Sequence, residues 1–288
     1  MKKTSTLFVL GLFVVLFITP LNAQTIVIPE DQSGWGETWI LNLNGSQASF
    51  DNWSEGGVNT ISGTFSTVYT RLYRKDQFGF GFRTNLRYGQ SRIDGDTRKS
   101  DDLISIRSRV VYDLSEGSKL SAYGAFQFKT QFAEGYNYGA GPLGEDLLIS
   151  NFMAPGYFTE GVGLEYLAND HLQIESGFAL KQTVVNDDDL VGLYNMTDNF
   201  RSEGGFTTGI TYQNTIAENI QYSSSLETFT NFLLPLNETD VFWTNEITGQ
   251  INSIVSASFQ FELRYDDDFS SEIQVKQVLS AGITVSLF

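Results

Sequence analysis

Apolar and polar residues alternate strictly along residues 255–265, where the odd positions are Val, Ala, Phe, Phe, Leu and Tyr and the even positions are Ser, Ser, Gln, Glu and Arg. Period-two alternation predicts a β-strand with one apolar and one polar face. About 11 residues is also the length that a tilted strand needs to cross a bilayer. The alternation recurs along the chain, and this recurrence predicts an all-β protein that spans a membrane.

The segments between the alternating stretches are short and long in turn, as in transmembrane barrels with short turns at one end and longer loops at the other. Counting back from a closing strand at residues 273–288 places the turn at residues 52–57 at the outer end. A strand must run from the inner end to that turn at the outer end, and residues 38–50 are predicted to form it. The sequence therefore predicts one transmembrane antiparallel up-and-down β-barrel of about 12 strands, with long loops at residues 91–102, 133–155 and 185–200.

The first 23 residues have the features of a signal peptide. Lys2 and Lys3 precede an apolar run over residues 7–18, and Leu21-Asn22-Ala23 is an acceptable cleavage site. We expect removal of residues 1–23 and a barrel over residues 24–288, located in the outer membrane with its lipids as partners. No later apolar run approaches the ~20 residues of a spanning helix, and a closed barrel is the other structure that satisfies its backbone in lipid.

Composition narrows the possible functions. Aromatic residues make up 14% of the chain, which suits the aromatic girdles of a barrel, and the net charge of −16 argues against a nucleic-acid partner. The chain has no cysteine, and its one histidine, His171, falls in a short inner turn, away from lipid substrate. We therefore expect no enzymatic activity, no metal site and no cofactor, and an outer-membrane lipid hydrolase is the least favoured function.

Polar positions on the inward face of the strands are candidates to line a lumen. They include five charged residues, namely Arg83, Arg87, Lys129, Glu262 and Arg264. An aqueous pore is one interpretation of these charges. A narrow or plugged lumen in which they only pair with one another is the alternative, and the sequence leaves both open.

The longest connection, residues 133–155, is the candidate constriction of the outer mouth, since long ordered loops in barrels often fold inward. Its polar and aromatic residues, together with those of neighbouring loops, are candidates to bind a small hydrophilic solute. We name Trp53, Glu134, Tyr136, Asn151 and Asp187. The alternative is a loop tip that touches nothing.

Several motifs are similar to those of one family. Asn52-Trp53-Ser54-Glu55-Gly56-Gly57-Val58-Asn59 resembles the signature of domain of unknown function 3078, a family of Bacteroidota, and so does Lys99-Ser100-Asp101-Asp102. Further matches lie in order at residues 128–136, 149–155, 185–187, 201–205 and 265–268. The resemblance implies an outer-membrane-type β-barrel of unassigned activity and supplies no catalytic residues.

The function expected from these patterns is a non-enzymatic outer-membrane barrel. It is either a small-solute channel or a structural barrel, with a lumen narrowed by loops. A surface-binding protein whose outer loops hold a cation, lipopolysaccharide or a partner subunit is the alternative. The sequence indicates neither the solute nor the oligomeric state.

Overall fold

The computed structural model describes residues 25–48, 59–93, 95–266 and 270–287. Within those ranges twelve strands form one closed barrel in which every pair of neighbours is antiparallel. The predicted fold class, an all-β up-and-down barrel of about 12 strands, is confirmed. The expected signal peptide and Trp53 lie outside the described residues.

The barrel strands are β1 (Gly34–Ala48), β2 (Thr60–Lys75), β3 (Phe78–Ile93), β4 (Asp96–Asp113), β5 (Leu120–Thr130), β8 (Gly156–Asn169), β9 (Leu172–Val184), β10 (Phe200–Ala217), β11 (Ile220–Asn231), β12 (Asp240–Gln250), β13 (Val255–Asp266) and β14 (Ser270–Ser286). Two short strands, β6 (Gly135–Asn137) and β7 (Leu147–Ser150), form a separate hairpin, so that β5 pairs directly with β8. Single 3-10 turns lie at Val191–Tyr194 and Leu236–Glu238. No helix among the described residues has the length and apolarity needed to cross a membrane.

The two faces of each strand differ in chemistry as the alternation predicts. On β13, Phe259 faces outward and Gln260 lines an internal cavity. The outer wall exposes large apolar side chains, among them Leu279 at 81%, Val162 at 61% and Phe178 at 60%. A continuous apolar surface of this kind is the lipid-facing band of a transmembrane barrel.

The two ends of the barrel also differ. One end, which we call the loop end, carries the connections at residues 131–155 and 185–199, and the other, the turn end, carries the tight connections at residues 76–77, 170–171 and 218–219. The expected long polar loop at residues 91–102 is wrong. β3 and β4 remain paired out to Ile93 and Asp96. Because both faces of this extension are polar, its strands carry no alternation.

The segment before β1 enters the lumen at the turn end. Ile26 and Ile28 are buried there against Val111 and Tyr123. The inward positions of β3 nearest the turn are both glycines, and a Cβ added at Gly81 would lie 2.5 Å from Cγ2 of Ile26. Because glycine has no side chain, Gly79 and Gly81 leave the space in the lumen that this segment occupies.

Candidate lumen site

The loop end is covered by two connections that pack on each other. Ala154 of the first connection and Val185, Leu190, Val191, Tyr194 and Met196 of the second form one buried apolar group, which we call the outer-loop cluster. Two hydrogen bonds reinforce this cluster. Tyr194 donates to the carbonyl oxygen of Ile149 at 2.8 Å, and the backbone N–H of Asn186 donates to the carbonyl oxygen of Met153 at 2.8 Å. Burial raises the pKa of Tyr194, so its hydroxyl stays protonated and remains a donor.

The root of the first connection is fixed to β4 by Lys99. Its ammonium group donates to the carbonyl oxygen of Ala133 at 2.7 Å, to Gln131 at 2.9 Å and to Asp102 at 3.0 Å. The carboxylate of Asp102 in turn accepts from the backbone N–H of Phe132 at 2.8 Å. This clamp was missed in the sequence, although Lys99 and Asp102 belong to one of the family-like motifs.

A cavity of about 600 Å³ lies inside the barrel below these loops. Its roof includes Tyr136, Ile149, Ser150 and Tyr194, and its wall is mostly polar and charged. The five residues expected to line a lumen all line this cavity; they are Arg83, Arg87, Lys129, Glu262 and Arg264. They come from β3, β5 and β13, so both sides of the barrel contribute charge.

The candidate residues of the outer mouth are not gathered in one pocket. Tyr136 lines the cavity, and its hydroxyl donates to the exposed Glu134 at 2.5 Å. This hydrogen bond raises the pKa of Tyr136. Asn151 and Asp187 instead contact each other at 3.4 Å, joining the two connections. Trp53 lies outside the described residues.

A second cavity of about 300 Å³ extends along β1, β2 and β11–β14 toward the turn end. The two cavities share four lining residues, namely Asn85, Arg87, Asp101 and Gln260. At this junction a carboxylate oxygen of Asp101 forms an ion pair with Nε of Arg87 at 2.5 Å, and Asp101 accepts a hydrogen bond from Lys276 at 3.2 Å. An ion-paired constriction therefore separates the roofed cavity from the lower one.

The lumen beside β4, β8 and β9 is filled by a buried ionic group. Arg109 donates to Glu165 at 2.5 Å and to Glu175 at 2.7 Å, and its guanidinium stacks on Tyr123 with its carbon 4.2 Å from the ring centroid. Tyr123 also contacts the N-terminal segment. Together these contacts leave the opposite side of the lumen, along β1 and β12–β14, as the open one.

His171 lies in the tight connection between β8 and β9 at the turn end. Its Nδ1 is 3.1 Å from the carbonyl oxygen of Gln213, and its backbone N–H donates to the side chain of Asn169. In the part of the chain that the structure describes, no group of three or more His, Asp or Glu side chains has metal-binding geometry.

The closed strand order, the apolar outer wall and the charged, roofed lumen define an outer-membrane-type β-barrel. The resemblance to domain of unknown function 3078 is confirmed over residues 46–136, which match the family described as "Protein of unknown function (DUF3078)". No curated protein has a detectable sequence match to this chain.

Solved barrels of known type are similar in architecture. The outer membrane channel of Pseudomonas putida F1 is 8% identical, with 91% of this chain and 99% of that chain covered and a TM-score of 0.43. The translocator domain of the autotransporter NalP from Neisseria meningitidis is 10% identical over 90% of both chains, with a TM-score of 0.41. The KdgM porin is 9% identical over 86% of this chain and 97% of that chain, with a TM-score of 0.35. At these values the likeness concerns barrel architecture and carries no information on solute or mechanism.

Proposed function

We propose that this protein is an outer-membrane barrel that admits small hydrophilic solutes to a lumen narrowed by its own loops, and that it catalyses no reaction. The observation that carries the proposal is the roofed cavity of about 600 Å³ inside the barrel. A barrel with a purely structural role has no need of a polar internal cavity, since paired charges and apolar packing can fill the lumen completely.

The outer-membrane location is supported by the apolar outer wall and by the expected signal peptide. We propose that residues 1–23 are removed and that residues 24–288 form the membrane-embedded barrel, with outer-membrane lipids as its surroundings. Cell fractionation tests this location, because the mature protein should require detergent for extraction. Recovery in the soluble periplasmic fraction would contradict it.

The channel interpretation is favoured over the structural one by the second cavity. The two cavities meet at Arg87 and Asp101, so we expect a solute path through both cavities that is narrowest at this ion pair. The buried ionic group of Arg109, Glu165 and Glu175 then forms a fixed wall on the β4, β8 and β9 side of this path. The expected channel is therefore narrow.

Conductance in planar bilayers tests the proposal with two matched deletions. The first replaces residues 134–150, which include the roof residues Tyr136 and Ile149, with a short Gly-Ser linker. The second replaces only residues 139–146, the exposed hairpin tip, and keeps β6 and β7. We expect discrete conductance steps from the wild type, larger steps from the roof deletion and no change from the tip deletion.

Two results would count against the channel. Equal conductance from both deletions, with both barrels still showing heat-modifiable migration, would mean that the loop is not the constriction. No conductance from any of the three folded proteins would leave a structural or surface-binding barrel.

The second candidate, a surface-binding protein, is favoured by the outer-loop cluster. Loops held by a rigid scaffold tend to carry function, and these loops have a buried apolar group of their own. A cation, lipopolysaccharide or a partner subunit is then the ligand. Calcium-dependent retention of the purified protein on lipopolysaccharide vesicles would support this candidate, and its absence would remove that ligand.

A further inference from the structure

Besides Lys99 of the clamp, four basic side chains line the roofed cavity from three neighbouring strands. They are Arg83 and Arg87 on β3, Arg107 on β4 and Lys129 on β5, and we call them the basic wall. In the strand register Arg83 is directly opposite Arg107, and Lys129 is opposite Ser105, the next inward residue of β4. Like charges directly opposite each other destabilise a sheet, so an anion in the cavity beside this pair would be favoured.

The carboxylates of the barrel do not balance the basic wall. Among the described residues, the cavity is lined by seven basic side chains and three acidic ones. Two further carboxylates reach these cations from outside the lining, Glu227 at 3.6 Å from Arg107 and Asp266 beside Arg264. Counted over these contacts of the described residues, seven cations therefore face five carboxylates, in a chain whose net charge is −16. The excess is local and opposite in sign to the molecule as a whole.

The two aspartates of the cavity lining already have basic partners. Asp101 is shared by Arg87 and Lys276, and Asp102 is held by Lys99 at the root of the loop. Lys129 has no carboxylate oxygen within 4.0 Å in the ranges that the structure describes. Its ammonium is thus the cation of the wall that is most available to a ligand.

We propose that the basic wall binds a small organic oxyanion, with the carboxylate or phosphate group of the solute between Arg83, Arg107 and Lys129. Guanidinium groups match the geometry of both oxyanions, and an ammonium adds a compact charge. A volume of about 600 Å³ accommodates a body of sugar size, which Gln127, Tyr136 and Tyr157 contact with polar and aromatic groups. This inference rests on the proposed function, because it requires that solutes reach the lumen. It adds the chemical class of those solutes.

Calorimetric titration of the purified barrel in detergent tests the site without requiring transport. The probes are gluconate, inorganic phosphate and sorbitol, because sorbitol matches gluconate in size and lacks its charge. The variant is the double substitution Arg83→Gln with Lys129→Gln, and the single Lys129→Gln serves if the double variant fails to fold. Lys75→Gln removes one exposed charge at the turn end and is the control.

We expect the wild type and the control to bind gluconate, phosphate or both, and to bind sorbitol at least about tenfold more weakly, as loss of a charge-assisted bond implies. The double variant should lose about tenfold or more in affinity for the anion. Binding of gluconate alone identifies a carboxylate site, and binding of phosphate alone identifies a phosphate site. Equal affinity for sorbitol, no binding of either anion, or no change in the folded variant would overturn the proposal.

Reversal potentials across a salt gradient separate this inference from the proposed function. An anion-preferring channel that shifts toward cations in the double variant supports both. A conducting channel with an unchanged cation preference, together with no anion binding, leaves the channel and removes the site. Anion binding by a protein that never conducts leaves the site and removes the channel.

Discussion

The hydroxyl of Tyr194 donates a 2.8 Å hydrogen bond to the carbonyl oxygen of Ile149. Tyr194 follows β9 and Ile149 precedes β8, so this bond joins the two connections that roof the lumen. Both residues also line the cavity. The position of the two connections over the lumen therefore depends on a contact between them as well as on the strands that each one joins.

Tyr194→Phe should loosen this roof without unfolding the barrel. A hydrogen bond of this kind contributes about 0.5–1.5 kcal/mol, so amide exchange in residues 147–152 should become roughly two- to twelvefold faster. Tyr136→Phe is the matched control, because within the described residues its hydroxyl donates only to the exposed Glu134 of the same connection. Equal exchange rates in the two variants would show that the contact with Ile149 contributes nothing.

The orientation of β13 is tested by neighbouring substitutions. Phe259→Arg places a charge on the lipid face and should destabilise the folded barrel by about 2–4 kcal/mol if near the bilayer midplane. Gln260→Arg places the same charge in the lumen beside Glu262, which Gln260 already contacts at 2.6 Å, and should be tolerated. Heat-modifiable migration on gels reports folding, and similar losses in both variants would be inconsistent with the assigned faces.

Two glutamates on β8 should respond oppositely to the same substitution. Glu160 faces the outer wall between Phe126 and Leu180, and its Oε2 is buried with no hydrogen-bond partner among the described residues. Glu160→Leu should stabilise the barrel by roughly 1–3 kcal/mol, since it removes an unsatisfied polar group. Glu165→Leu should destabilise it by about 3–5 kcal/mol, because it leaves Arg109 without that partner.

Urea unfolding in lipid vesicles measures both free energies. Destabilisation by Glu160→Leu would indicate that this carboxyl has a partner on the lipid face, such as a second protein or a lipid amine.

The N-terminal segment should be displaceable from the lumen. Gly81→Ala brings a methyl group against Ile26, whose burial contributes about 1.5–3 kcal/mol, so occupancy of the docked state should fall by a factor of about 10 to 150. Gly63→Ala is the control, since its added Cβ would have only an ordinary contact at 3.9 Å. Protease cleavage near Ile26 should accelerate in the first variant alone. Unchanged cleavage with the barrel folded would mean that the segment accommodates the methyl group in place.

Sequence reasoning succeeded where one face of a strand meets lipid, because the lipid imposes alternation on residues such as Phe259 and Gln260. It failed at residues 91–102, where the paired strands carry polar residues on both faces and the alternation disappears. The role of Gly79 and Gly81 was not predicted either. Their role depends on Ile26 and Ile28, which lie more than 50 positions earlier in the sequence. A short run of apolar residues does not indicate where in the fold it packs.

The roofed cavity was partly predictable for the same reason. The inward charges follow from strand parity, so Arg83 and Lys129 could be assigned to a lumen. The clamp at Lys99 and the outer-loop cluster could not be predicted, because residues that pack between loops follow no regular spacing in the sequence. The mouth candidates Asn151 and Asp187 consequently join loops instead of lining the cavity.

The wall of the barrel closes where its first and last strands meet, and this junction is short. Among the described residues β1 and β2 pair at fifteen positions, whereas β1 and β14 pair at five, from Ile40 with Ser286 to Asn44 with Gly282. Thr284 donates to Asn42 there across 242 positions of sequence. Closure must therefore wait until nearly the whole polypeptide has been delivered, and until then two unpaired strand edges are open to other chains. Safe assembly of this protein depends on shielding those edges during the interval between delivery and closure.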